Sequence, residues 1–305
     1  MNEIKVTSVD ENKRLDAYLA EKNAEISRSK IKKLIEKGNI LVNNKKVKGR
    51  YLVKENDILS IELPKTEINI LPEDIYLDII YEDEYLAIIN KQDNLTVHPT
   101  KDIQTNTLVN GLLYKFEKLS DIDAPFRYGI VHRLDKDTTG LLIIAKDNKT
   151  HKLLQDMFKN KEIEKRYMTI VHGKIETAGT INANIGRNPN NRILRTVIDD
   201  GKESITHYNP IDFNDEYSLL DINLETGRTH QIRVHMKYIN HNIVGDKFYG
   251  LKKESIKASR QMLHAYRLKF IHPITLKEID IKKYPSGEFL EVLKKTNLNI
   301  KDSTI

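Results

Sequence analysis

The chain has 305 residues, enough for one large domain or a large domain with a small one, and 39% hydrophobic against 31% charged residues suits a folded chain with a sizeable core. It has no cysteine, which excludes disulfides, thiolate metal sites and thiol nucleophiles and suits a reducing compartment. No apolar run approaches the ~18 residues of a membrane helix, and the start MNEIKVTSVDENK has no apolar signal core, so the expected location is the cytoplasm.

The net charge of +6 is unevenly spread. Residues 13–54 carry thirteen Lys or Arg against four acids, a local +9, while the rest of the chain is at −3. A positive field of that kind attracts polyanions, above all a nucleic-acid backbone; a solvated lysine-rich surface gives the same count. The segment reads as a compact module. Leu15, Tyr18 and Leu19 stand at helical spacing between Arg14 and Lys22. A second helix, capped by Ser27 or Ser29, turns Ile31, Leu34 and Ile35 inward and places Lys30, Lys33 and Lys37 on another face. Gly38 suits a left-handed helix end; a strand at 40–42, the turn Asn43-Asn44 and further strand to Leu63 follow.

Pro64 to Pro72 reads as a linker. Beyond it, strands are expected at 75–81, 85–90, 140–146, 163–172, 218–225 and 266–272, and helices at 105–119, 148–159 and 229–239. Leu220, Ile222 and Leu224 alternate with Asp221, Asn223 and Glu225, as in a strand buried on one face. Residues 186–208 look like a polar hairpin presenting Arg187, Arg192 and Arg195. Strands with helices inserted, without a strict βαβ rhythm, give the class α+β, with a mixed, mainly antiparallel sheet.

Dinucleotide and P-loop signatures, the nucleophile elbow and the HExxH zinc motif are all missing. His230 and His235 are five apart, on different helix faces, which disfavours a histidine metal site. Three stretches carry the candidate chemistry. In GIVHRLDKDTTGLLIIAK, 129–146, a dense polar turn sits between apolar strands; Arg133 and Lys136 flank Asp135, and neighbouring cations favour the charged form of a carboxylate, which can act as nucleophile or base. The plain alternative is a turn-capping or surface-paired aspartate. In LETGRTHQIRVHM, Arg228 stands at a helix start, unfavourable for the helix dipole, so it needs another partner such as a distant carboxylate. In EKRYMTIVHG, Tyr167 falls inside an apolar strand, and a buried phenol needs a polar partner unless it is an ordinary core tyrosine.

Residues 14–63 resemble the S4 RNA-binding domain, through the RLDAYL start and the SRSKIKKLIEKGNILVN core. From about 75 to 290 the chain resembles RluA-type pseudouridine synthases, in particular the S4-bearing branch acting on large-subunit ribosomal RNA. HRLDKDTTG, KRY at 165–167, GRTHQIR and the RQMLHAYRLKFIHP segment at 260–273 match the motifs of that family. Gln92 and Asn242 depart from it, where the family often has proline. The resemblance implies an S4-like module over 1–63, a linker over 64–74, a pseudouridine synthase domain over 75–295 and a tail over 296–305. It implies isomerisation of uridine in RNA without a cofactor. Asp135 would be the essential carboxylate, either attacking C1′ or removing the C2′ proton. Arg228 would pair with Asp135, Tyr167 would contact the base and take the C5 proton, Leu263 would pack against the uracil, and Arg133 would hold the RNA with the nucleotide flipped out. RNA would also be gripped by Lys30, Lys33 and Lys37 and by Arg187, Arg192 and Arg195. A monomer is expected, with structured RNA as the partner. Alternatives are a transfer-RNA uridine as target, a non-catalytic RNA-binding or assembly factor, and a hydrolase, which would need Asp137 or Asp246 as a second acid.

Overall fold

The computed structural model describes residues 2–22, 28–62, 70–100, 103–191 and 193–300, and the chain divides into two compact units, 1–67 and 68–305. In the first unit, β1 (Asn2–Lys5), α1 (Leu15–Lys22), α2 (Arg28–Lys37), β2 (Ile40–Val42) and β3 (Ile58–Ile61) form two helices against a three-stranded antiparallel sheet of order β1-β3-β2. The expected inner residues of α2, Ile31, Leu34 and Ile35, are buried with Leu15, Tyr18 and Leu19. Gly38, Asn43 and Asn44 all take positive φ, as a helix end and a tight turn require. Of the two expected caps, Ser27 lies outside the described residues and Ser29 falls inside α2, because the helix already begins at Arg28.

The second unit contains β4 (Asp78–Glu82), β5 (Leu86–Lys91), α3 (Leu108–Lys115), β6 (Thr139–Ala145), α4 (Asn148–Lys159), β7 (Glu164–His172), β8 (Gly179–Asn182), β9 (Ile185–Arg187), β10 (Arg195–Val197), β11 (Ile205–Phe213), β12 (Tyr217–Leu224), α5 (Gln231–Tyr238), β13 (Leu263–Ile271), β14 (Glu278–Lys282) and α6 (Glu288–Lys295). Its main sheet runs β4-β5-β6-β13-β7-β12-β11-β8, with β14 pairing β13. Only β6 and β13 pair in parallel, through His264 with Thr139 and Ala265 with Gly140. Gly140 has φ +116°, and a Cβ there would collide with the carbonyl oxygen of Ala265. The close approach of these strands is therefore possible only with glycine, and it fixes where the loop before β6 leaves the sheet.

Strand alternation fills two layers. Along β7, Tyr167 and Val171 join a core that includes α3 and α5, whereas Met168 and Ile170 join one that includes α6. Along β6, Leu142 and Ile144 face the first layer, and Leu141 and Ile143 pack with Leu154 and Met157 of α4. A helix layer on each sheet face leaves the central strands dry on both sides, each large apolar side chain contributing about 1.5–3 kcal/mol. This corrects the one-sided reading of β12. Asp221 is buried too, because Arg166 on the adjacent β7 and the Tyr266 hydroxyl on β13, one strand further along, donate to it.

Other boundaries differ for equally local reasons. Ile70 is buried in the second unit's core, the Asn110 side chain donates to the Leu71 carbonyl, and Glu73 accepts the Asn106 N–H, so 70–74 run along this unit rather than free of it. Leu298 packs beside Phe289 and Val292, carrying the packed chain past 295. β13 begins at Leu263, because 263–265 already pair with 167–169 of β7. The hairpin at 186–208 reduces to β9 and β10, with Arg187 opposite Arg195, while 205–208 belong to the main sheet. Arg192 lies outside the described residues. Among the described residues, no helix is long and apolar enough to cross a membrane.

Candidate active site

The loop 132–138 leaves the sheet just before β6 and is held at several points. The Ile143 N–H donates to His132 Nε2 at 2.8 Å; burial pushes this imidazole down to about 3, leaving it a neutral acceptor, and its ring packs on Phe158. Leu134 is buried in the core, and the Thr138 N–H closes a turn on the Asp135 carbonyl. Lys91, 1% exposed at the end of β5, donates to the carbonyls of Gln92, Leu95 and Lys136 at 2.8, 3.0 and 2.9 Å. Burial pulls its ammonium down to about 7, with Asp135, Asp137 and Asp93 acting in the opposite sense. The Gln261 amide donates to Thr138 Oγ1. The loop is therefore a rigid bracket for Asp135.

Among the described residues, the guanidinium that pairs with Asp135 belongs to Arg233. Arg233 Nη1 donates to Asp135 Oδ2 at 2.9 Å. Its Nε and Nη2 form a two-pronged pair with Asp246 at 2.7 and 2.8 Å. Asp246 is fixed in turn by the N–H groups of Phe248 and Tyr249, and the guanidinium lies 5.0 Å from the centre of the Tyr249 ring. Arg233 is 4% exposed, whereas the Asp135 side chain is 16% exposed. This corrects the expected Arg228–Asp135 pair. Arg228 sits in the loop before α5, its backbone N–H bound to Gln231 Oε1 and its Nε donating to the Glu203 carbonyl. The helix begins only at Gln231, so the arginine three residues into it, not the one before it, reaches the carboxylate. Gln231 to Met236 are all buried, and an arginine inside such a helix must find carboxylates. That burial is not written in the local spacing, and Arg233 was missed for this reason. Asp246, a candidate second acid by sequence, is 4% exposed and bound to Arg233.

Asp135, Tyr167 and Leu263 line one small pocket of ≈ 60 Å³, with Arg133, Leu224, Arg228 and His230 also on its walls. Arg133, Tyr167, Leu224 and Arg228 are shared with a larger cleft of ≈ 480 Å³, whose walls carry Lys161, Lys165, Glu203 and Glu225. Tyr167 is 7% exposed; burial raises its phenol, and the Asp135 charge raises it further, so it holds its proton at neutral pH. Burial lowers Lys165 to about 8. A carboxylate, a protonated phenol and an apolar wall beside a cation-rimmed cleft can place a ribose over Asp135 and a flat base between Tyr167 and Leu263.

The basic positions expected to hold RNA are dispersed. Lys33 and Lys37 are exposed on α2, and the side chain of Lys30 lies outside the described residues. Arg187 is exposed on β9; Arg195 is partly buried on β10, beside a groove of ≈ 260 Å³ shared with Lys237 and Tyr238.

Comparison with known proteins identifies the family. Residues 85–238 match the family described as RNA pseudouridylate synthase, and 13–59 match the S4 domain. The chain is 39% identical over 303 residues, 98% of its length and 100% of the relative's, to the uncharacterized RNA pseudouridine synthase YlyB of Bacillus subtilis. It is 40% identical over 306 residues, 94% of both chains, to the ribosomal large subunit pseudouridine synthase D of Buchnera aphidicola. Among solved structures, human RNA pseudouridylate synthase domain containing 1 superposes with a TM-score of 0.58 at 26% identity, over 70% of this chain and 85% of that one. A bracketed aspartate on a pocket that shares walls with a cation-lined cleft, a match over the catalytic half and relatives that align end to end lead to one conclusion: the chain belongs to the RNA pseudouridylate synthase family, isomerases that act on uridine in RNA, and carries an S4 domain ahead of the synthase domain.

Proposed function

We propose that this enzyme converts specific uridines of large-subunit ribosomal RNA to pseudouridine, with Asp135 as the reacting carboxylate. The observation that carries the reading is the division of labour at Asp135: Arg233 holds Oδ2 from a buried position, and the carboxylate still lines the pocket with Tyr167 and Leu263. The target nucleotide leaves its stack to reach this depth, at a cost of a few kcal/mol, and Arg133 on the rim helps to hold the RNA with that nucleotide flipped out. Asp135 then either attacks C1′, displacing N1 of the uracil, or removes the C2′ proton as the C1′–N1 bond breaks, giving a glycal and the free uracil anion. In both routes the uracil turns and rejoins through C5. Tyr167 stands against the base, and its oxygen takes the C5 proton while its own hydroxyl proton passes to another acceptor. The relatives named for the large ribosomal subunit support ribosomal over transfer RNA as substrate. The S4 unit, proposed to span 1–63, binds structured RNA through Lys30, Lys33 and Lys37, and the β9–β10 hairpin adds Arg187, Arg192 and Arg195. The enzyme works as a cytoplasmic monomer in this reading. The test is tritium release from C5-labelled uridine in ribosomal RNA fragments: the wild-type enzyme releases label and Asp135→Asn does not. Release by Asp135→Asn contradicts the assignment.

A further inference from the structure

His230 stands apart from the roles assigned above. It precedes α5 in the left-handed region, at φ 60° and ψ 18°, an uncommon backbone conformation for a residue other than glycine. Its Nδ1 lies 2.8 Å from the Tyr249 hydroxyl, and its Nε2 lies 3.8 Å from Asp135 Oδ1, the oxygen that Arg233 leaves alone.

The Arg195 backbone N–H donates to the Tyr249 oxygen at 2.8 Å. With the phenolic proton directed to His230 Nδ1, the imidazole's own proton sits on Nε2, which is the ring nitrogen that faces the Asp135 carboxylate. Burial lowers this imidazole below its ordinary range, so it is neutral at pH 7 although Asp135 and Asp246 pull the other way; Arg233 and Arg133 reinforce the lowering. A neutral Nε2–H opposite Oδ1 complements the guanidinium on Oδ2.

We propose that His230 is a positioning residue for the reacting carboxylate: Nε2–H closes on Asp135 Oδ1 when RNA fills the pocket, and the β9–β10 hairpin sets the imidazole through the Arg195 N–H and Tyr249. A separation of 3.8 Å is long for a hydrogen bond, and pairs of this kind tighten in the substrate complex. The consequence is a link between a hairpin on the RNA side and the geometry of the carboxylate. The inference rests on the reading of Asp135 given above.

Two substitutions separate positioning from mere support. Asn tolerates the left-handed backbone better than any other residue with a side chain beyond glycine, but its amide reaches only the place of Nδ1. Gln fits that backbone less well, yet its amide nitrogen reaches the place of Nε2. A structural role therefore favours Asn, and a positioning role favours Gln. In the tritium-release assay, with Asp135→Asn alongside, His230→Asn is expected to lower kcat by about tenfold with KM for RNA within about twofold of wild type, and His230→Gln to recover most of the loss. Tyr249→Phe, which removes the phenolic proton, is expected to lower kcat several-fold with His230 intact, and it carries the test if the Asn variant melts early. A kcat within twofold of wild type for His230→Asn, or Gln no better than Asn, overturns the proposal while leaving Asp135 in place. Activity in Asp135→Asn overturns the underlying reading and the proposal with it.

Discussion

Each unit contains an aspartate paired with basic side chains, and the two arrangements differ in kind. Asp16 in the first unit is fully buried and is met by Arg14 and Arg28 at 3.0 Å and by Lys32 at 3.7 Å, each cation about half exposed. Both its oxygens accept bonds from arginine. Asp135 meets one arginine, itself buried and shared with Asp246, and keeps an edge on a pocket. Asp16 uses its charge to gather basic side chains on the surface of the S4 unit. Asp135 is held from behind at Oδ2, and its other edge faces the pocket beside His230. The lesson is that the number of cations around a carboxylate says little about reactivity. What matters is whether the cation is rigid and whether an oxygen still faces open space.

The sharpest way to break this contrast is to neutralise each aspartate in turn. Asp135→Asn is expected to lower kcat by roughly 10³-fold or more with little change in thermal stability, whereas Asp16→Asn is expected to leave kcat nearly unchanged. Melting curves run beside the kinetics decide it; a large kcat loss in Asp16→Asn would erase the distinction. Arg233→Lys comes next. A lysine cannot serve Asp246 with two prongs and Asp135 with a third, so kcat is expected to fall about 10²-fold, more than for Arg228→Lys. An equal loss for the two would return Arg228 to the position the sequence suggested. On the S4 side, Lys33→Glu together with Lys37→Glu is expected to raise KM for RNA and to flatten the logarithmic dependence of affinity on salt by about one for each phosphate left without its lysine, with kcat at saturation unchanged. The smallest effect is pH-dependent. Burial pushes Asp16 up, but the bonds and charges of Arg14 and Arg28 together pull it below the ordinary 3.8. A folded-state pKa below the unfolded one gives stability that is complete above the unfolded value and is lost as pH falls through the folded value. Acid titration should therefore weaken the first unit below about pH 4 in the wild type, and less steeply in Asp16→Asn.

How much of this was legible follows from the range of the interactions. The inner face of α2 is visible because Ile31, Leu34 and Ile35 repeat at the helical period, and the turn at 43–44 because Asn tolerates positive φ. The loop and strand carrying Asp135 and Tyr167 are visible because a polar turn interrupts apolar strands and a tyrosine stands among buried neighbours. The Arg233–Asp135 pair was not visible: its partners are 98 residues apart, and only the docking of α5 against the sheet selects Arg233 over Arg228. The burial of Asp221 was hidden in the same way, since alternation reports one face of a strand and cannot show that Arg166 and Tyr266 wait on the other. Local periodicity carries the elements; the polar bonds that build the site are made between elements, and they are settled by packing.

The most direct measurement is a map of pseudouridines in ribosomal RNA from cells lacking this gene and complemented with either the wild-type chain or Asp135→Asn. The account predicts that specific large-subunit sites lose the modification in the deletion, regain it with the wild type and stay unmodified with Asp135→Asn. Restoration of those sites by Asp135→Asn would contradict it.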